Sequence, residues 1–241
     1  MTDGQNRDHW DRVGARYQEN WATPRQRVLA AQELAFVVGH LPDTPGQTVL
    51  DVGIGSGRVL EALLAQPNVD AVYGLDVAPA MVRACKEKFD GHTKLKDLFV
   101  CDVAHEPLPV PDRLSFVSAI RMLKYNANWW EIVEDRLLPH VAPGGVLVFS
   151  MPNSNSVKRV SRAYDVPYFK TTEKELRRRL AAARLEPLEF AGFTKLPDML
   201  YRNLTGPRLT SSLLALERGA DRVVGPAALA LELFVAARRV R

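Results

Sequence analysis

Glycines at alternate positions, Gly53, Gly55 and Gly57, follow the apolar run Thr48–Val52, and that run carries one acid, Asp51. A residue without Cβ lets the chain turn sharply and lets a ligand lie against bare backbone. A helix starting near Gly57 would point unpaired N–H groups and a partial positive charge at the same ligand. Two further acids recur in this setting. AVYGLDVAPAMV ends a second apolar run in Asp76, and LFVCD ends a third in Asp102. A carboxylate at Asp76 can accept both hydroxyls of a ribose and would repel a 2′-phosphate. One at Asp102 can accept from the exocyclic amine of an adenine. The bland alternative is that each acid only caps the helix after it, Asp being a good N-cap. The glycine spacing, D-x-G-x-G-x-G, departs from the G-x-G-x-x-G of dinucleotide folds.

That spacing, with acids ending the next two strands, resembles the opening motifs of class I S-adenosylmethionine (SAM) dependent methyltransferases. Pro143, Gly144 and Gly145 resemble the turn before the fifth strand in that family. The resemblance runs roughly from Trp10 to Phe193 and is strongest from Val49 to Asp102. It implies SAM as cofactor, S-adenosylhomocysteine (SAH) as product, and a small-molecule acceptor methylated on O or N. Asp51 and the three glycines would form the cofactor turn, with backbone at Gly53 and Gly55 against the methionine end. Asp76 would take the ribose, Val77 and Met81 would flank the adenine, and Asp102 with the Val103 amide would read its edge. Ile120 and Arg121 correspond to the segment under the methionine moiety. Tyr17 matches an aromatic that folds over the cofactor in relatives, and packing into the core is its alternative. The RMLKYNANWWEI and FSMPN stretches are reminiscent of small bacterial methyltransferases near sugar or natural-product pathways. A nicotinamide oxidoreductase and a non-catalytic SAM-binding module stay open as other classes. The glycine spacing and the three acids argue against the first.

No acid–base pair stands out. Many relatives carry a His after the fourth strand, where this chain has Lys124, Tyr125 and Asn126. Tyr125 could hydrogen-bond an acceptor or simply pack, and His9 is a second candidate base. Methyl transfer proceeds without one when alignment with a good leaving group supplies the acceleration. Tyr164, Tyr168 and Phe169, clustered around Pro167, either wall an acceptor pocket or staple the next helix. A [DN]-P-P-[YF] motif after the fourth strand and a Pro-Cys nucleophile are both missing, which argues against DNA bases as acceptors. The sequence has no HEXXH or CxxC metal set.

The elements that must position these residues alternate. Strand Thr48–Val52 leads to a helix ending near Ala65. The Asp76 strand, a helix Pro79–Phe89, the Asp102 strand and a strand Leu114–Arg121 follow. A helix Trp129–Leu138 and, after the VAPGG turn, a strand Val146–Met151 complete the first half. Alternation of this kind predicts a doubly wound, mostly parallel α/β sheet. The family's sheet has seven strands and closes with an antiparallel hairpin, whose arms LEPLEFAGFTK and LELFVAARR would supply after a helix Thr172–Ala183. Helices at Asn6–Asn20 and Pro24–Leu41 precede the core as a lid. The expected division is one domain: a lid to residue 45, a SAM-binding core from 46 to 151, and a substrate cover with the hairpin from 152 to 241. At 241 residues and a net charge of +4 the chain suits one such domain and permits an anionic acceptor without demanding nucleic acid. The run Lys174, Arg177, Arg178, Arg179 and Arg184 reads as a solvated helix face. Cys85 and Cys101 read as small buried hydrophobes in a reducing compartment. With a polar N-terminus and no apolar run of membrane length, a cytoplasmic monomer or homodimer is expected.

Overall fold

The run before the glycines forms β1 (Gln47–Val52), and it is paired on both edges. Its neighbours, β2 (Val69–Asp76) and β4 (Leu114–Ala119), both run parallel to it. β3 (Leu95–Val100) extends the sheet beyond β2, and β5 (Val141–Pro152) extends it beyond β4, again in parallel. β6 (Leu185–Phe193) and β7 (Glu232–Arg239) are antiparallel arms, and β7 inserts between β5 and β6 to give the order β3-β2-β1-β4-β5-β7-β6. The computed structural model describes residues 8–12, 24–156, 168–193 and 230–240, with short pieces between 195 and 225.

Helices cover both faces, which is why β1 carries no alternation of apolar and polar residues. Val49 belongs to the core built with Phe36 and Val37 of α2 (Pro24–Gly39), Leu60 and Leu63 of α3 (Arg58–Leu64), and Val82 of α4 (Pro79–Lys88). Leu50 and Val52 face the other core, with Trp129 and Trp130 of α5 (Trp129–Glu131) and Leu176 and Leu180 of α6 (Glu173–Ala182). Leu60 and Leu63 are wholly buried, and burying each contributes about 1.5–3 kcal/mol toward fixing α3 behind the glycine turn. Residues 8–12 form the short helix α1.

Several boundaries differ from the sequence reading. The segment predicted as one helix from Trp129 begins as α5, widens to a π-helix over Ile132–Leu137, and tightens to a 3-10 turn at Leu138–His140. Ile132 and Leu137, five apart, are both buried. That spacing matches the i→i+5 period of a π turn. The VAPGG segment is already extended and opens β5. Between the pairs Leu114↔Val141 and Phe116↔Val146, β5 carries an irregular loop-out, with Gly144 at φ +82°. A Cβ on Gly145 would lie 2.9 Å from Ala142 O and 3.0 Å from Leu114 O, so the second glycine is required there too. β3 ends at Val100, two residues short of Asp102, and β4 ends at Ala119, because Arg121 takes a left-handed φ of +63°.

Thr172 caps α6 through its side chain. Thr172 Oγ1 accepts the Glu175 amide at 3.1 Å, while the Glu175 carboxylate pairs with Arg178 and Arg179. Arg177 pairs with Glu173 and lies over the Phe190 ring.

Candidate active site

A pocket lies at the carboxyl ends of β1, β2, β3 and β4, where open parallel sheets bind ligands. Gly53 and Gly55 supply its floor, and Asp76, Val77 and Met81 line one side. Asp102 and Val103 follow, and Ile120, Arg121 and Tyr125 close the far end. The Gly53 and Ile54 amides donate to Leu75 O at 2.8 and 3.1 Å, which ties the turn to β2. Asp76 Oδ2 accepts the Gly55 amide and Oδ1 accepts the Ala78 amide, both at 2.9 Å. Asp76 therefore does not cap α4, whose N-cap is Ala78, but braces the turn between β2 and that helix. Each carboxylate oxygen has a second lone pair left for a ligand. Burial pushes Asp76 above the ordinary carboxylate range, against the pull of the Ala78, Gly55 and Val77 amides. Asp102 braces its own turn: Oδ1 accepts the Ala104 amide at 3.1 Å, and His105 Nδ1 stands 3.2 Å from Oδ2.

Other predicted residues lie elsewhere. Asp51 does not line the pocket. It is buried, accepts the Ser118 hydroxyl at 2.8 Å through Oδ1, and its Oδ2 has no hydrogen-bond partner among the described residues. Gly57 also lies outside the lining. Its φ is +78°, and a Cβ would meet Phe89 Cε2 at 2.8 Å and Cys85 Sγ at 3.0 Å, so it serves close packing of α3 on α4. His9 is edge-on to Trp10, ring centroids 5.1 Å apart, and does not line the pocket. Phe169 packs against the core and donates its amide to Lys124 O at 2.7 Å, and Tyr168 lies under the Lys170 ammonium. Neither lines this pocket, and of the two readings of this cluster the contacts of Phe169 are those of packing. Tyr17 and Tyr164 lie outside the described residues. Sequence reasoning missed five pocket residues: Leu75 and Cys101, and, in the N-terminal stretch and the stretch after β4, Trp10, Met122 and Asn126. The neighbouring Tyr17 and Tyr125 had drawn attention to both stretches.

Asp51 carries a pH signature. Burial pushes it up to about 7 from 3.8, with the Ser118 hydroxyl and Arg58 opposing. The folded state thus holds a proton that the unfolded state has released between those two values. Stability should fall as pH rises through that window, by up to about 4 kcal/mol at about 1.4 kcal/mol per unit. Denaturant titrations of the ligand-free protein across the window should show this decline, and Asp51→Asn should flatten it. An unchanged slope in the variant would assign the decline to other groups.

A family model described as a methyltransferase domain matches residues 16–189. The chain belongs to this family. Among curated relatives, the trans-aconitate 2-methyltransferase of Methylobacterium nodulans is 28% identical over 165 residues, covering 67% of this chain and 58% of that one. The chain spans about half the length of the curated relatives it matches. A Haloferax volcanii methyltransferase, solved with the Trm112 methyltransferase activator, superposes with a TM-score of 0.67 at 20% identity, over 98% of this chain and 97% of that one. Magnesium protoporphyrin IX methyltransferase from Synechocystis PCC 6803, solved with bound SAM, gives 0.64 at 14% identity, over 98% and 96%. The sheet is that of a class I methyltransferase.

Beside the Arg121 end of this pocket sits a buried ionic cluster that the sequence did not announce. Glu33 of α2, fully buried, is 2.8 Å from Arg58 Nη2 and 3.4 Å from Arg121 Nη1. Arg121 Nε lies 3.2 Å from Glu232 Oε2, and Lys124 Nζ lies 3.8 Å from Glu232 Oε1. The Ser150 hydroxyl donates to Glu232 and accepts the Arg121 amide, both at 2.9 Å. Burial lifts Glu33 despite Arg121 and Arg58. Burial acts the same way on Glu232, but Lys124 and Arg121 outweigh it and hold that carboxyl low. Burial pushes Lys124 down to about 8. Removing one partner would strand a buried charge, at a cost of about 3–5 kcal/mol. The cluster thereby holds Arg121 in its left-handed turn and presents Ile120 to Asn126 at the pocket.

Proposed function

We propose that the chain transfers a methyl group from SAM to an O or N atom of a small-molecule acceptor. The observation that carries this reading is convergence: the bare turn after β1, the acid that ends β2 and the acid beyond β3 line one pocket with the segment after β4. The residues fit the cofactor. A Cβ at Gly53 would fill the space beside Met122, so that floor is backbone of necessity. The Asp76 carboxylate at the pocket wall suits a ribose diol, and Val77 and Met81 suit the two faces of an adenine. Asp102 and the Val103 amide offer an acceptor and a donor to its edge. When bound, SAM supplies an electrophilic methyl on a sulfonium that leaves readily.

The chain's own residues supply orientation. Gly53, Gly55, Ile120 and Arg121 would fix the methionine end, so that the methyl faces Met122, Tyr125 and Asn126. Holding the acceptor in line with that methyl would supply much of the acceleration. Tyr125, which lines this end, would hydrogen-bond the acceptor. The sugar-bearing or natural-product acceptor remains part of this proposal, and the curated relatives add organic acids to it. One is named for trans-aconitate and another, from Marinomonas, for the malonyl group of an acyl-carrier protein. We place the protein in the cytoplasm as a monomer or homodimer. No described helix is long and apolar enough to cross a membrane.

The test is an acceptor screen by mass spectrometry with purified protein and SAM, covering di- and tricarboxylates, sugars, phenols and amines. A product heavier by one methylene, formed together with SAH, is the expected result. SAH binding without any turnover would favour a non-catalytic SAM-binding module, and no binding of either nucleoside would overturn the reading.

A further inference from the structure

Helix α2 buries a carboxylate on its apolar face. Glu33 is fully buried, and Leu29, Phe36 and Val37, at helical spacing on either side of it, are buried too. A charge in such a place is costly even when paired, and well-packed apolar residues there are often as stable or more so. Stability alone therefore does not account for this residue. Its two oxygens go to two different elements. Oε2 accepts from Arg58 Nη2 at 2.8 Å, and Oε1 lies 3.4 Å from Arg121 Nη1. Arg58 opens α3 directly after the glycine turn, and Arg121 leaves β4 in a left-handed conformation. The strands leading to these two residues, β1 and β4, are paired as far as Asp51↔Ser118. The ladder ends there: one chain enters the Gly53–Gly57 turn, the other turns at Arg121, and both exits line the pocket.

We propose that Glu33 is a positioning residue for the methionine end of the cofactor, holding the exits of β1 and β4 at a fixed separation where the ladder no longer does so. Its carboxylate is the clamp, Arg58 and Arg121 are the two jaws, and the ligand's amino-acid group lies against the exits they carry. The inference rests on the cofactor reading above. It goes further by tying recognition of the amino-acid part to one buried residue that does not line the pocket. The nucleoside part is met on the β2 side, by Asp76, Val77 and Met81, whereas the clamp joins the exits of β1 and β4. Glu232 pairs with Arg121 from β7, so Glu33 decides where that guanidinium stands relative to α3 rather than whether it is paired at all.

The experiment compares SAH with 5′-methylthioadenosine, the same thioether nucleoside without the amino-acid group, by calorimetry on the full chain. Glu33→Gln keeps the shape and removes the charge, and it should weaken SAH about tenfold, as expected for one slackened charge-assisted contact. Binding of 5′-methylthioadenosine should stay within about twofold, since its contacts share no partner with the clamp. Because Glu33→Gln strands Arg58, it should also lower the ligand-free unfolding midpoint. A second variant separates stability from recognition. Glu33→Leu combined with Arg58→Met removes one charge of each sign, so the cluster keeps its net charge and an apolar pair fills the space. Its midpoint should lie closer to wild type, while SAH stays weakened about tenfold and 5′-methylthioadenosine does not. Unchanged SAH affinity in either folded variant would overturn the clamp, as would equal losses for both ligands or failure of both variants to fold. A wild-type chain that binds neither ligand would overturn the cofactor reading instead.

Discussion

Asp76→Ala should weaken SAM binding at least about a hundredfold while leaving a folded protein. Two hydroxyl donors to a carboxylate make charge-assisted hydrogen bonds, each worth about 1.5–3 kcal/mol, so losing both removes roughly 3–6 kcal/mol. The substitution also frees the Gly55 and Ala78 amides, which both end on this carboxylate. The cofactor turn then loses the clamp that joins it to the end of β2, and preorganisation falls along with direct contacts. The fold should survive because β2 keeps both its neighbours, and because burial of the unpaired charge already works against Asp76 in the ligand-free state. Asp76→Asn separates the two contributions. Its amide oxygen can still hold one backbone N–H, so the turn is partly kept while the charge is gone. Calorimetry of the two folded variants measures this, and an unchanged SAM affinity in Asp76→Ala would remove the ribose assignment.

The alternation of β1, β2, β3 and β4 with their helices was legible because each strand is a short apolar run closed by glycine, proline or an acid. The sheet order was not legible in the same way. That β7 lies between β5 and β6 depends on pairing between Phe149 and Val235 and between Phe190 and Val235, contacts far apart in sequence. The π-helical widening at Ile132–Leu137 escaped as well, since a run such as WWEIVEDRLL satisfies an ordinary helical period almost as well. At the site, residues adjacent in sequence to a recognisable turn were found. Those brought in by tertiary packing were not: Glu33 and Glu232 flank Arg121 from α2 and β7, and neither stands in any motif. Trp10 is the intermediate case. A helix over this stretch was expected, but periodicity gives a helix an apolar face without saying which partner that face meets.

Glycine placement shows how far a local rule carries before packing has to decide. Gly53 and Gly91 both adopt left-handed backbone, at φ +75° and +72°. In both, an L side chain would cost about 1–2 kcal/mol from conformation alone. Their surroundings differ. A Cβ at Gly91 meets nothing within 4 Å, whereas at Gly53 it would lie 2.7 Å from Met122 Cβ and 2.9 Å from Met122 Cγ. Met122 cannot swing away by a rotamer change, because the nearer atom is its own Cβ and so is fixed by the backbone. That backbone follows Arg121, whose amide is held by Ser150 and whose guanidinium is held by Glu33 and Glu232. Gly53→Ala must therefore move either the cofactor turn or the entire exit of β4, and both line the pocket. The expected outcome is loss of SAM affinity by at least about a hundredfold, roughly 2.7 kcal/mol at 1.4 kcal/mol per tenfold. Ligand-free stability should fall by more than the 1–2 kcal/mol of conformational strain alone. Gly91→Ala should show the strain without the affinity loss, which makes it the control for backbone conformation. Calorimetric titration and denaturant unfolding of the two variants give both quantities. If Gly53→Ala binds SAM as Gly91→Ala does, the turn after β1 is not the floor on which the cofactor rests.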